Sequence, residues 1–238
     1  MVIFKRFMLT AVIFAVLTVM ASAQTRPGLT TGAPEMTVEQ SYLQESIELM
    51  IIREQSRGEG REMKLEALDS IGNAISRGNR SAEIHSALEY ISFEGIINPT
   101  RLEGRVINNH PDLRARAATY LGQLGTPEAT NTLVRMVSAD NEPMVITEAI
   151  KSLGIIGSNS NEVVVNTIAW TVNRFNTLNP DNQLVISAIE AFEKISAANG
   201  GQISPTAVQT LIRISEGSYT RNVQERARIA LSDMRRAH

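Results

Sequence analysis

The chain has no cysteine. No disulfide, thiol nucleophile or thiolate metal site can be built from it, and a lipid-modified Cys at an export-signal cleavage site is excluded too. Aromatic residues make up only 5%, so the core has to come from Ala, Leu, Ile, Val and Met. Small, helix-compatible residues favour close helix packing over a β-sandwich. Gly and Pro are sparse, and the 43% hydrophobic and 20% charged fractions are those of an ordinary globular chain, which argues against collagen-like or disordered structure. A basic excess is missing as well. The formal charge is −2, which argues against a general nucleic-acid binder. At 238 residues the chain is long enough to be stable by packing alone.

The first thing present is an N-terminal export pattern. Lys5 and Arg6 form a short positive region, and FMLTAVIFAVLTVM (7–20) follows as an uninterrupted apolar run. Ala21-Ser22-Ala23 is a small-x-small cleavage pattern. The expectation is a bacterial-type signal peptide over 1–23, with Gln24 as the first mature residue. A retained membrane anchor is the alternative, but a spanning helix needs about 20 apolar residues and this run is shorter. The protein is therefore expected to be periplasmic or secreted, with no membrane span after cleavage. Residues 24–36, QTRPGLTTGAPEM, read as a flexible linker. Thr37-Val38-Glu39-Gln40 fits a capping box and opens an N-terminal helix over 37–57. Leu43, Ile47, Met50, Ile51 and Glu54 follow the spacing of one helix face, apolar except at its end.

The remainder is organised by repeats. Five ungapped windows align on Ala67, Ala117, Ala149, Ala188 and Ala227. Four residues before these alanines stand Met63, Leu113, Val145, Leu184 and Val223. Four after stand Ile71, Leu121, Leu153, Phe192 and Leu231, and seven after stand Ala74, Leu124, Ile156, Ile195 and Met234. These offsets trace one helical stripe, called helix A. The alanine admits a neighbouring helix closely. A second block, helix B, starts at Ser81, Thr126, Asn161 and Ser204, all preferred N-cap types. Its stripe runs through Ile84, Ala129, Val164 and Ala207, then Leu88, Leu133, Ile168 and Leu211, then Ile91, Met136, Thr171 and Ile214, with Thr171 the weak point. One helix pair cannot bury both faces, but stacked neighbours can. The expected units are repeat 1 (58–93), an insertion (94–110), repeat 2 (111–139), repeat 3 (140–178), repeat 4 (179–217) and a C-terminal capping helix (218–238). The insertion suggests a short extra helix begun by Asn98-Pro99. Arg226, Arg228, Arg235 and Arg236 give the last helix a polar outer surface.

PDLRARAATYLGQLGTPEATNTLVRMV (111–137) resembles a HEAT repeat, specifically the phycobilisome-lyase HEAT-like subtype. The resemblance extends over 143–157 and 180–215, and to 62–92 and 222–236. It implies an all-α fold, an α-solenoid in which antiparallel helix pairs stack into a superhelix, as in HEAT and armadillo proteins. It also implies a protein-binding scaffold and no catalytic residue. Some relatives of the subtype attach or release tetrapyrroles, but no residue of this chain matches such a role.

Catalytic, metal and cofactor sites are not expected. Gly154-Ile155-Ile156-Gly157-Ser158 lacks the Lys-Ser/Thr of a phosphate loop, and with Gly122 and Gly125 it reads as the closing of helix A. His85, His110 and His238 form no metal-ligand spacing. Glu45, Glu48, Glu54, Glu59, Glu62 and Glu66 alternate with Arg and Lys, as on a solvated face. No nucleophile elbow occurs. One face of helix B does carry recognition chemistry. One column holds Tyr90, Arg135, Trp170 and Arg213. Beside it run Asn131, Asn166 and Gln209, with Ser86. Tyr, Trp and Arg most often carry interface energy, and in the resembling solenoids the B helices line the concave side. All of these except Ser86 form the candidate protein-binding site. The competing reading packs Trp170 against a neighbouring repeat or the 173–182 loop.

Three functions compete. The first is a non-catalytic exported scaffold for another cell-envelope protein. The second is a small-molecule, tetrapyrrole-like binder or lyase-like enzyme, which needs a deep apolar pocket around Trp170 and the insertion with a few converging polar groups; a closed pocket holding Arg135 or Arg213 beside Glu128 would favour it. The third is a structural subunit of a large envelope assembly, which an exposed apolar patch on an end unit favours.

Overall fold

A stripe of Ala, Leu, Ile and Val on one helix has to be covered by another, and the chain supplies the covers in alternation. The computed structural model describes residues 37–97, 99–158, 162–178, 180–202 and 204–236. The expected signal (1–23) and linker (24–36), with Asn98, Asn161 and His238, lie outside the described residues. In chain order the helices are α1 (Val38–Arg57), α2 (Arg61–Ser76), α3 (Ala82–Ser92), α4 (Pro111–Leu124), α5 (Pro127–Ala139), α6 (Pro143–Ile156), α7 (Val163–Leu178), α8 (Asn182–Ala198), α9 (Pro205–Glu216) and α10 (Arg221–Arg236). Strands β1 (Arg101–Leu102) and β2 (Arg105–Val106) lie between α3 and α4.

The A helices α2, α4, α6, α8 and α10 pack side by side, and the B helices α3, α5, α7 and α9 form a second row. The fold is an all-helical stack of pairs, as expected, apart from the small β-hairpin. All five anchor alanines are fully buried. Of the flanking stripe, Leu113, Val145, Leu184 and Val223 are buried, as are Ile71, Leu121, Leu153 and Phe192. The stripe thins at its two ends, and Ile156 of α6 is only half-buried. Met63 is 41% exposed, and its neighbour Lys64 is buried instead, its Nζ donating to the Gly58 carbonyl at 2.6 Å. Leu231 of α10 is half-buried.

The B stripe is buried throughout, Thr171 included. Its Oγ1 donates to the Thr167 carbonyl at 2.9 Å, so the expected weak point hides its hydroxyl within its own helix. The capping expectation holds for α5, where Thr126 Oγ1 accepts from the Ala129 N–H. Ser81 and Ser204 occupy the N-cap position without a side-chain cap, and their hydroxyls are buried without a partner.

The insertion departs from expectation. Among its described residues there is no extra helix. Arg101 pairs with Val106 and Leu102 with Arg105 across a tight turn. Glu103 and Gly104 both have positive φ, 50° and 81°. A two-residue turn with both residues left-handed matches the twist of a hairpin, so Glu-Gly outweighs the helix-start signal of Pro99. The insertion is fastened at both ends by Arg114, a fully buried side chain of α4. Its NH1 donates to the Glu94 carbonyl and to Asn109 Oδ1, while Nε donates to Asp140 Oδ2 at 2.7 Å. Asp140 Oδ1 in turn accepts the N–H groups of Asn141 and Glu142 in the α5–α6 turn.

Helix α1 packs by a different face from the expected one. Ile52 and Ser56 are buried and Leu49 leans on the core. Tyr42, Leu43, Ile47, Met50 and Ile51 are exposed. Glu48 pairs with Arg77, and Asn79 donates to Glu45, which ties the helix to the end of α2 through ions and amides rather than through its apolar stripe.

Candidate protein-binding face

Burying the B stripe at offsets of three and four turns a second stripe of the same helices outward. Tyr90 on α3, Asn131 and Arg135 on α5, Asn166 and Trp170 on α7, and Gln209 and Arg213 on α9 are all exposed. Because α3, α5, α7 and α9 are neighbours in one row, the columns run from repeat to repeat.

The columns are not uniform. Arg135 pairs with Glu89 of α3, and its guanidinium stacks over the Phe93 ring at 4.6 Å. Arg213 donates to Asn173 Oδ1 of α7. Both arginines therefore bridge to the preceding B helix while keeping exposed surface. Trp170 is 51% exposed. The segment expected as a loop over 173–182 is helix through Leu178, and the cover on Trp170 comes from it. Arg174 covers its ring at 5.2 Å and lies against Phe175 at 4.9 Å. Arg174 is itself held by a 2.8 Å bond to the Asp140 carbonyl. A ring stacked by a fixed guanidinium is held in place and still offers surface.

His85 sits beside this face and its Nε2 lies 3.1 Å from Thr132 Oγ1 of α5, an inter-repeat contact. Among the described residues no His, Asp and Glu cluster has an arrangement that would hold a metal.

At the α3 end the face opens into a groove between α3, α5 and the insertion. Tyr90 and Arg135 line it together with Phe93, Glu94 and Ile97. Trp170, Arg213 and Glu128 are not part of its lining, and Arg135 pairs with Glu89. Sequence reasoning missed Phe93, Glu94 and Ile97. Phe93 is one of only six phenylalanines and closes a B helix, which was a usable signal. Glu94 gave none, because its burial depends on Lys64 from α2, at 3.0 Å.

Stacked helix pairs with an exposed B-helix face define the class, a helical-repeat protein. The family model for HEAT repeats matches residues 101–169, from β1 through α4, α5 and α6 into α7. No curated protein matches the chain. Among the described residues no helix is long and apolar enough to cross a membrane.

Proposed function

We propose that the protein is a non-catalytic, exported scaffold that binds another protein of the cell envelope through its concave B-helix face. The observation that carries the reading is the exposed row of Tyr90, Arg135, Trp170 and Arg213 on four successive B helices. Solenoids use such extended faces for binding, and aromatic and arginine side chains supply most interface energy. The Lys5-Arg6 pattern with the apolar run 7–20 supports export to the periplasm or beyond. Specialisation within the HEAT class toward the phycobilisome-lyase-like subtype belongs to the same proposal, on the strength of residues 111–137.

The test is crosslinking in intact envelopes followed by pull-down, comparing the wild type with the double variant Trp170→Ala, Asn166→Ala. Both positions are exposed, so the fold should persist and circular dichroism should be unchanged. The expected outcome is a stoichiometric protein partner whose recovery falls at least about tenfold in the variant, the loss of one hot-spot residue. A partner recovered equally from both proteins removes the site from this face. A co-purifying small molecule in place of a protein replaces the scaffold by the tetrapyrrole-like reading.

One observation favours a permanent form of the same role. The apolar residues Leu43, Ile47, Met50 and Ile51 on α1 are exposed, as the end of a structural subunit in a larger envelope assembly would be.

A further inference from the structure

Trp170 has a guanidinium on either side of it, and neither is closed by a carboxylate. On the α5 side Arg174 lies over the Trp170 ring at 5.2 Å and against Phe175 at 4.9 Å. Its Nη2 donates to the Asp140 carbonyl at 2.8 Å. On the α9 side Arg213 donates through Nη1 to Oδ1 of Asn173, one turn past Trp170 on α7. Elsewhere in the stack Arg114 ends on Asp140, Arg135 on Glu89 and Arg226 on Glu193. Among the described residues no ion pair includes Arg174 or Arg213. Glu142, just past Asp140, and Glu216, one turn past Arg213, are exposed and pair with neither.

The unused donors are open to an incoming group. Arg213 is exposed. Arg174 is half-buried, yet its Nε and Nη1, which carry no bond among the described residues, are not closed off from solvent. Two rings and a backbone carbonyl fix the Arg174 side chain, so it has little rotamer freedom left to lose when it meets an anion. Hydrogen bonds from such a group to a charged acceptor are about twice as strong as neutral ones. A cation is repelled here, and a neutral acceptor gains less. The surroundings are apolar as well. Trp170 is 51% exposed, and Val163, two turns back on the same side of α7, is 50% exposed. A small inorganic anion leaves that apolar surface wet. A carboxylate carried on a chain between apolar side chains uses both features.

We propose that the α7–α9 part of the B-helix face takes an acidic segment of the partner protein. An Asp or Glu carboxylate accepts from the free N–H groups of Arg174, a flanking apolar side chain covers Trp170 and Val163, and a second acid reaches Arg213. The inference rests on the scaffold reading and states the charge of the partner. Arg174 is the specificity-determining residue. Trp170 and Val163 accept any apolar group, whereas the fixed guanidinium separates Glu from Gln. Attraction between the two arginines and an acidic segment also speeds encounter, and it fades with salt.

The experiment uses the full chain, and Trp170, its only tryptophan, is the fluorescent reporter. The probes are a blocked peptide of alternating Glu and Leu, the same peptide with Gln for every Glu, and inorganic phosphate. The expected result is a saturable change of Trp170 emission with the Glu peptide and binding at least about fivefold weaker for the Gln peptide, the worth of one charge-assisted hydrogen bond. The preference should shrink as salt rises from about 0.05 to about 0.5 M. Arg174→Gln should abolish it. Arg213→Gln, at an exposed position where the fold does not depend on the side chain, should reduce it with circular dichroism unchanged. Equal binding of the two peptides overturns the proposal, as does the absence of any saturable change. Phosphate that binds as well as the Glu peptide also overturns it, leaving a site for small anions. Failure of the two readings is distinguishable. A protein partner recovered equally by the wild type and by Arg174→Gln in the envelope experiment removes this inference alone. An envelope experiment that captures no protein removes the scaffold reading, and the peptides then decide whether the surface recognises carboxylates at all.

Discussion

The glycine near the C-terminal end of an A helix shows how much one missing carbon controls. Gly122 and Gly154 were expected to close their helices together with Gly125 and Gly157. The structure divides the work. Gly125 and Gly157 take the left-handed conformation, with φ of 66° and 70°, and end α4 and α6, as a residue without Cβ does best. Gly122 and Gly154 lie inside the helices, where the next A helix runs against them. A Cβ on Gly122 would stand 2.7 Å from that of Ser152, and one on Gly154 would stand 2.9 Å from the Cα of Ala191. Gly72 holds the same place in α2, against the Tyr120 ring. In α8 the place belongs to Glu193, and there the contact with α10 is an ion pair with Arg226. Gly154→Ala is a direct test, since alanine is about 1 kcal/mol better than glycine in a helix. The clash is with backbone and cannot swing away. The variant should therefore lose about 1–3 kcal/mol of stability, as overpacked cores do, measured by urea unfolding. A stabilised variant would mean that α6 and α8 are not held this closely.

At the scale of elements, the 94–110 insertion is the part least like a repeat. Its hairpin is exposed except at the half-buried Val106, so little of its own surface holds it. What holds it is Arg114, which reaches Glu94 and Asn109 at its two ends and Asp140 at the next turn. The Arg114 and Asp140 side chains are 1% and 2% exposed, so the pair is insulated from solvent and salt. Breaking such a pair from one side leaves a buried charge and costs about 3–5 kcal/mol. Asp140→Asn should lose stability on that scale in urea unfolding. The further change Arg114→Met should return part of it, because the stranded charge goes with the arginine. The 99–107 segment should meanwhile become sensitive to limited proteolysis in both variants. Additive losses in the two single variants would show that the residues do not act as a pair. The same insertion supplies Ile97 and Glu94 to the groove, so the hairpin and that wall of the groove share an anchor.

For the molecule as a whole, stability in a stack is set by neighbours. The middle helices α4 and α6 each have an A helix on both sides and B helices beneath. The ends do not, and it is there that Met63 and Leu231 leave the buried stripe. The N-terminal half of α1 goes furthest, since residues 39–47 are exposed on every side. An isolated stretch of helix shorter than about 12–15 residues is marginal in water. Hydrogen exchange should read this as a gradient. Amides of 40–47 should exchange within about tenfold of an unfolded chain, while those in the middle of α6 should open only with global unfolding. Uniform protection from α1 to α6 would show that the apolar residues of α1 are covered in solution, as the permanent-subunit reading requires.

The repeat itself was legible because its cause is local. Ala-x-x-x-apolar in register recurs at Ala67, Ala117, Ala149, Ala188 and Ala227, and five like stripes in one chain can cover one another, as all five buried alanines show. The shared face of helix B follows from the same geometry, which sets Tyr90, Arg135, Trp170 and Arg213 in one column beside the core stripe; that Trp170 stays half-exposed does not follow from spacing. Other features depend on residues distant in the chain. Lys64 buries Glu94, Glu89 claims Arg135, Arg174 props Trp170, and Arg114 fastens an insertion whose Glu103-Gly104 turn made it a hairpin instead of a helix. Helix α1 is the clearest case. Its periodicity promised a buried face, but periodicity only says which residues share a side. Whether that side meets a partner depends on what the rest of the fold brings to it, and Glu45 and Glu48 bind the end of α2 so that the apolar side faces water. Sequence determined the helices, their stripes and their order, because these follow from spacing along one chain. Only the tertiary structure decided which charges pair, which acceptor is left unbonded and which apolar face stays open, because each of these is a meeting of residues from different helices.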